Sequence, residues 1–150
     1  MLTYLIEDDD LKAESIMRLL QEHRPSYELK RFKSYQSGLR AIECKAPDLV
    51  ILDMTVPTFD SGPNKREGRP RSLGGRDLLR KIVHKGIEVP VLVVTQFESF
   101  GEGTAAVDFG HLRDICREEF SQLLVGFIQY QATGSAWIDE VLTILKDDNQ

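Results

Sequence analysis

Apolar positions in this chain follow two different periods. Uninterrupted apolar runs recur at Tyr4-Leu5-Ile6, Leu49-Val50-Ile51-Leu52, Val91-Leu92-Val93-Val94 and Leu124 to Ile128. Runs of this length predict strands buried on both faces of a parallel sheet. The expected strands are Thr3–Glu7, Leu49–Leu52, Pro90–Thr95 and Leu124–Ile128, and a Pro at the first residue of a strand is tolerated. Tyr27, Leu29 and Phe32 alternate with Glu28, Lys30 and Arg31. That mixture suits an edge strand, where charge discourages stray pairing.

Between these runs the apolar spacing changes to three and four. Ile16, Leu19, Leu20 and His23 share one face of a helix capped by Asp10 and ended by Pro25. Ser34 or Ser37 opens a second helix carrying Leu39, Ala41 and Ile42. A third, near Gly75–Lys85, buries Leu78, Leu79, Ile82 and Val83, and Gly86 ends it in a left-handed turn. A fourth is expected over Leu112–Gln122. The last, Gly134–Lys146, carries Trp137, Ile138, Val141, Leu142 and Leu145, with a frayed tail at 147–150. Five successive strand–helix units imply an α/β, doubly wound parallel sheet with helices on both faces. The whole of 1–150 reads as a single domain with two loop insertions, at about 58–74 and 96–110. Loops longer than about 12–15 residues are uncommon in compact domains unless functional or disordered.

The polar residues at the strand ends carry the candidate chemistry. Glu7-Asp8-Asp9 follows the first run and Asp53 follows the third strand. Ligands of open parallel sheets bind beyond the carboxyl ends of the strands. Carboxylates converging there repel one another and raise each other's pKa, and a hard divalent cation such as Mg²⁺ relieves that. Asp10 suffices as the helix cap, which leaves three further acids to explain.

Charge narrows the partners. The net charge of −5 and the lack of a basic helical stripe argue against nucleic acid. No apolar stretch is long enough for a membrane span, and no signal peptide precedes the first strand, so a cytoplasmic protein is expected. Cys44 and Cys116 lack metal or redox spacing and read as reduced side chains. His23, His84 and His111 are expected to be solvated or packed.

The motifs Leu5-Ile6-Glu7-Asp8-Asp9, Pro47-Asp48-Leu49-Val50-Ile51-Leu52-Asp53-Met54 with Pro57, and Val89-Pro90-Val91-Leu92-Val93-Val94-Thr95 resemble, in that order, the receiver domain of two-component response regulators. The resemblance covers nearly the whole chain and implies the CheY-like, flavodoxin-like sheet of order 2-1-3-4-5. It implies that Asp53 is the phosphoacceptor. Glu7 and Asp8 would hold Mg²⁺ with Asp53 and the backbone carbonyl of Thr55. Thr95 would bind the phosphoryl oxygen, and Phe127 would be the switch aromatic that moves with it. One residue departs from the pattern. The family places a phosphoryl-binding Lys shortly after the fifth strand, where this chain has Gln129 and Tyr130. A charge-assisted hydrogen bond of that kind is commonly worth about 1.5–3 kcal/mol.

The first insertion holds Lys65, Arg66, Arg69, Arg71 and Arg76. Its bland reading is a solvated, disordered segment. The sharper one is that one of these cations folds over the pocket and replaces the missing Lys. The second insertion holds Phe97, Phe100 and Phe109, which either pack on the domain or present a partner surface.

The leading functional expectation is a single-domain response regulator of a phosphorelay, not an enzyme. It would be phosphorylated by a histidine kinase or phosphotransfer protein. Output would be a protein contact through the face around the fourth helix, fifth strand and fifth helix, with homodimerisation left open. The alternative is a degenerate receiver acting as a phosphorylation-independent scaffold. A phosphatase using Asp53 as nucleophile fits poorly, because Thr55 stands where such enzymes carry a second Asp.

Overall fold

The structure is a computed structural model that describes residues 1–57, 74–96, 99–100 and 107–145. Its strands are β1 (Leu2–Ile6), β2 (Glu28–Phe32), β3 (Leu49–Leu52), β4 (Val91–Thr95), β5 (Ser99–Phe100), β6 (Val107–Asp108) and β7 (Leu124–Gln129). Its helices are α1 (Asp10–His23), α2 (Tyr35–Cys44), α3 (Gly74–His84), α4 (Phe109–Glu119) and α5 (Ala136–Ile144). Five strands form one parallel sheet in the order β2-β1-β3-β4-β7. Counting only these principal strands, the order is the expected 2-1-3-4-5.

The apolar runs explain the layering. Alternate side chains of a strand point to opposite faces. Tyr4, Ile6, Val50, Leu52, Val91, Val93 and Phe127 pack with α2, α3 and α4. Leu5, Leu49, Ile51, Leu92, Val94 and Ile128 pack with α1 and α5. Both faces are therefore covered, which is why the runs are continuous rather than alternating.

Local signals set the helix ends. Ser34 and Ser37 form a reciprocal capping box at the start of α2, so both expected cap residues are used. Gly86 has φ 70° just beyond α3, and its N–H donates to the Val83 carbonyl at 3.0 Å.

Several expectations are corrected. The cap of α1 is Asp9, not Asp10: its carboxylate accepts from the N–H groups of Leu11 and Lys12. Asp10 instead ion-pairs with Arg31 and Lys33. Val83 is exposed rather than buried, and His23 is solvated. The apolar face of α1 includes Lys12, only 3% exposed. Helix α4 begins and ends three residues earlier than expected, because Phe109 packs on Phe127 with ring centroids 5.2 Å apart and belongs to the helix. Helix α5 is shorter than expected at both ends. The second insertion is not simply a loop, since Ser99 pairs with Asp108 and Phe100 with Val107 in an antiparallel ladder. Phe97, the side chain of Phe100, the stretch 58–73 with Lys65, Arg66, Arg69 and Arg71, and the tail 146–150 lie outside the described residues.

The two thiols sit in opposite surroundings. Cys116 is fully buried on α4, and burial pushes its pKa up to about 11. Cys44 is exposed at the end of α2. The thiolate is the reactive form. Iodoacetamide at pH 8 should therefore label Cys44 in the native protein and Cys116 only after denaturation, as read by peptide mass. Equal labelling of both thiols in the native state would contradict this packing.

Candidate functional site

Strand register builds the site. Ile6 pairs with Leu52 across β1 and β3, so the residues that follow, Glu7 and Asp53, leave the sheet side by side. The Asp53 N–H donates to the Ile6 carbonyl at 3.1 Å, and the Glu7 N–H donates to the Phe32 carbonyl at 2.9 Å. Thr95 ends β4 on the other side of Asp53. Carboxylate oxygens of Glu7, Asp8 and Asp53 lie within 4.8 Å of one another. Glu7 and Asp53 are 2% and 3% exposed, while Asp8 is open to solvent.

Asp53 is held by several donors. The Thr95 hydroxyl donates to Oδ1 at 2.7 Å, and the Thr55 hydroxyl donates to Oδ2 at 2.7 Å. The ammonium of Lys12 also donates to Oδ1, at 3.2 Å, and lies 2.7 Å from Glu7 Oε1. Glu7 Oε1 thus has the buried Lys12 ammonium as its ionic partner. Glu7 Oε2 accepts from the Asp9 N–H at 3.0 Å.

Electrostatics mark the cluster as strained. Burial first, and the charge of Asp53 second, push the Glu7 pKa up to about 7, against the partial relief of Lys12. The same two causes, in the same order, raise Asp8. Clustered carboxylate oxygens and mutually repelling charges suit a hard divalent cation. The residues therefore fit Mg²⁺ held by Glu7, Asp8 and Asp53. Such a cation would neutralise charge on a transferring phosphoryl group.

The remaining expected residues are placed as follows. Thr55 reaches Asp53 through its hydroxyl. Phe127 is 5% exposed and packs on Phe109. Gln129 pairs with Thr95 in the β4–β7 register. Tyr130 is 7% exposed; its N–H donates to the Thr95 carbonyl at 2.9 Å, and its ring packs on Trp137. Arg76, one of the five cations of the first insertion, turns away from the pocket and pairs with Glu119 at 3.2 Å, beside Arg80.

Sequence reading passed over Lys12. A signal was present. Positions 12, 16, 19 and 20 form one helical stripe, and a lysine on that stripe, one turn after an acidic cluster, has carboxylates within reach.

Comparison with known proteins points to the same fold. No protein-family model matches the chain. The Detocs response regulatory protein DtcB of Enterobacter cloacae is 26% identical over 141 residues, spanning 92% of this chain and 94% of that protein. The response regulator MprA of Mycobacterium leprae is 29% identical over 108 residues, spanning 70% of this chain but 39% of that protein. Among solved structures, the response regulatory domain of protein mrkE from Klebsiella pneumoniae superposes with a TM-score of 0.64 at 14% identity, covering both chains fully. This chain has the fold of CheY-like receiver domains. The non-phosphorylated HemR receiver domain of Leptospira biflexa shares that fold at a TM-score of 0.63 and 21% identity, over 97% of this chain and 91% of that chain. Among the described residues, no helix is long and apolar enough to cross a membrane.

Proposed function

We propose that the receiver accepts a phosphoryl group on Asp53 with Mg²⁺ bound by Glu7, Asp8, Asp53 and the Thr55 carbonyl. The donor is a histidine kinase or phosphotransfer protein, and output is contact with a protein partner. The observation that carries this reading is the Asp53 carboxylate itself. It is nearly buried, beside two further carboxylates, with the Thr95 hydroxyl 2.7 Å away. Attack of a carboxylate on a phosphoryl group brings two anions together, and positive charge in the pocket offsets the repulsion. Thr95 then hydrogen-bonds a phosphoryl oxygen. Rearrangement at Thr95 and Phe127 biases the face formed by α4, β7 and α5 between two states.

The test is intact mass after incubation with Mg²⁺ and acetyl phosphate. The expected gain is one phosphoryl group, abolished in Asp53→Asn and in EDTA. A phosphoryl group retained in Asp53→Asn would sink the assignment.

One observation favours a second reading, a degenerate receiver that acts as a scaffold without phosphate. Tyr130 or Gln129 stands where the family carries its phosphoryl-binding Lys, and Lys12 already bridges Glu7 and Asp53. Under this reading the protein gains no mass from acetyl phosphate or from a kinase donor, and binds its partner equally well as Asp53→Asn.

A further inference from the structure

The pocket lacks the cation expected after β7, yet it holds another. Lys12 is 3% exposed and stands on the face of α1 that packs against the sheet. Burying an ammonium is costly unless it is paired. Its partners are Glu7 Oε1 at 2.7 Å and Asp53 Oδ1 at 3.2 Å. Among the described residues, Lys12 is the cation within ion-pair distance of Asp53. The Tyr130 ring lies 5.5 Å from its ammonium and is braced by Trp137, with centroids 4.9 Å apart.

We infer that Lys12 is the phosphoryl-binding cation of this receiver, supplied from α1 rather than from the end of β7, with Tyr130 walling the ammonium in. The inference rests on the proposed phosphorylation of Asp53. Asp53 Oδ1 receives both Lys12 and Thr95, so the two donors flank any phosphoryl group built on that carboxylate. The charges are compatible with a metal at the same time: one ammonium and one divalent cation balance the three carboxylates. A short swing of the lysine chain carries the ammonium from Glu7 to a phosphoryl oxygen when the metal takes up Glu7. Lys12 is then a built-in counter-ion before phosphorylation and a phosphoryl ligand after it.

The position of Lys12 predicts opposite effects on two ligands. Lys12→Met keeps an unbranched chain, shorter by the terminal nitrogen, and removes the charge. Mg²⁺ should bind more tightly to this variant, because a positive charge between two of its ligands is gone. Beryllofluoride, a phosphoryl mimic that binds the aspartate in the presence of Mg²⁺, should bind about 10–100-fold more weakly for loss of a charge-assisted hydrogen bond. Both are read by fluorescence of Trp137, the single tryptophan, with thermal melting to establish folding. Lys12→Met/Tyr130→Lys, which returns a cation to the other side of the pocket, should recover beryllofluoride binding. A residue that merely braced the pocket would weaken both ligands when removed, and the cation at 130 would rescue neither. Either that pattern or unchanged beryllofluoride affinity in Lys12→Met would overturn the assignment. If the wild type bound Mg²⁺ but neither beryllofluoride nor phosphate from acetyl phosphate, the phosphorylation reading itself would fall, and the inference with it.

Discussion

Gly75→Ala is expected to destabilise the protein by about 2 kcal/mol, although alanine is the better helix former. Gly75 lies in the first turn of α3, where Ala in place of Gly gains about 1 kcal/mol of helix propensity. Space decides the sign. A Cβ at 75 would stand 2.6 Å from the Asp53 carbonyl oxygen and 2.6 Å from Met54 Cα, both backbone atoms. Overpacking costs about 1–3 kcal/mol where side chains can move, and a rigid backbone neighbour puts this site at the upper end. The Gly75 N–H also donates to the Met54 carbonyl at 3.1 Å, which ties α3 to the turn carrying Asp53. Displacing that turn displaces the carboxylate, so Mg²⁺ affinity should fall together with Tm. A net loss of about 2 kcal/mol corresponds to roughly 4–8 °C in a chain of this size. Gly126→Ala is the control. Its Cβ would meet Ile144 Cδ1 and Leu92 Cδ1, the ends of side chains that can rotate. The expected cost is about 1 kcal/mol, without effect on Mg²⁺. Melting curves and Mg²⁺ titrations of both variants check this. A Gly75→Ala protein that melts with the wild type would show that α3 does not press on the Asp53 turn.

The residues that pin α3 to the site illustrate what sequence carried and what it did not. The apolar runs of β1, β3, β4 and β7 were legible because both faces of the sheet are buried, which leaves an uninterrupted signature. Glu7, Asp8, Asp53 and Thr95 were legible because each stands at the end of such a run, and the sheet order brings those ends together. Asp9 and Asp10 could not be separated by pattern. Either acid caps a helix, and the choice depends on which carboxylate turns back onto the N–H groups of Leu11 and Lys12. Phe109 was misread because a Gly-rich neighbourhood looks like a loop until the ring is seen against Phe127. Lys12 was hidden by its type. A lysine near a helix start is usually solvated, and only the third dimension places its ammonium over Asp53. Gly75 reads as a helix opener, and its contact with the Asp53 turn comes from packing between segments far apart in the chain.

The metal-free protein should lose stability as pH rises from about 4.5 to about 7, and Glu7 should account for most of that loss. In the folded state its pKa is pushed up to about 7, first by burial and then by the charge of Asp53; in the unfolded chain it lies at the ordinary value near 4.5. Between those limits the folded protein holds a proton that the unfolded chain has released. Stability rises with pH where the unfolded state binds more protons, so here it falls. Below the window both states are protonated, and above it both are ionised, so this group adds no further slope. The ceiling is about 3 kcal/mol, from 1.36 kcal/mol for each pKa unit. Asp8 is raised by the same causes and acts in the same direction. Asp10 and Glu119 are lowered by their Arg and Lys partners and are exposed, so their contribution is small and lies at more acid pH. Denaturant unfolding in EDTA between pH 4.5 and 7.5 measures the slope. Glu7→Gln should flatten it, because the amide carries no charge at any pH in the range. Parallel curves for the two proteins would remove Glu7 as the cause. Mg²⁺ should reverse the trend in the wild type. A cation bound to the ionised carboxylates stabilises the folded state by mass action, and it does so most where Glu7 has lost its proton. The stability deficit of the empty pocket near neutral pH is thus the same repulsion that favours the metal.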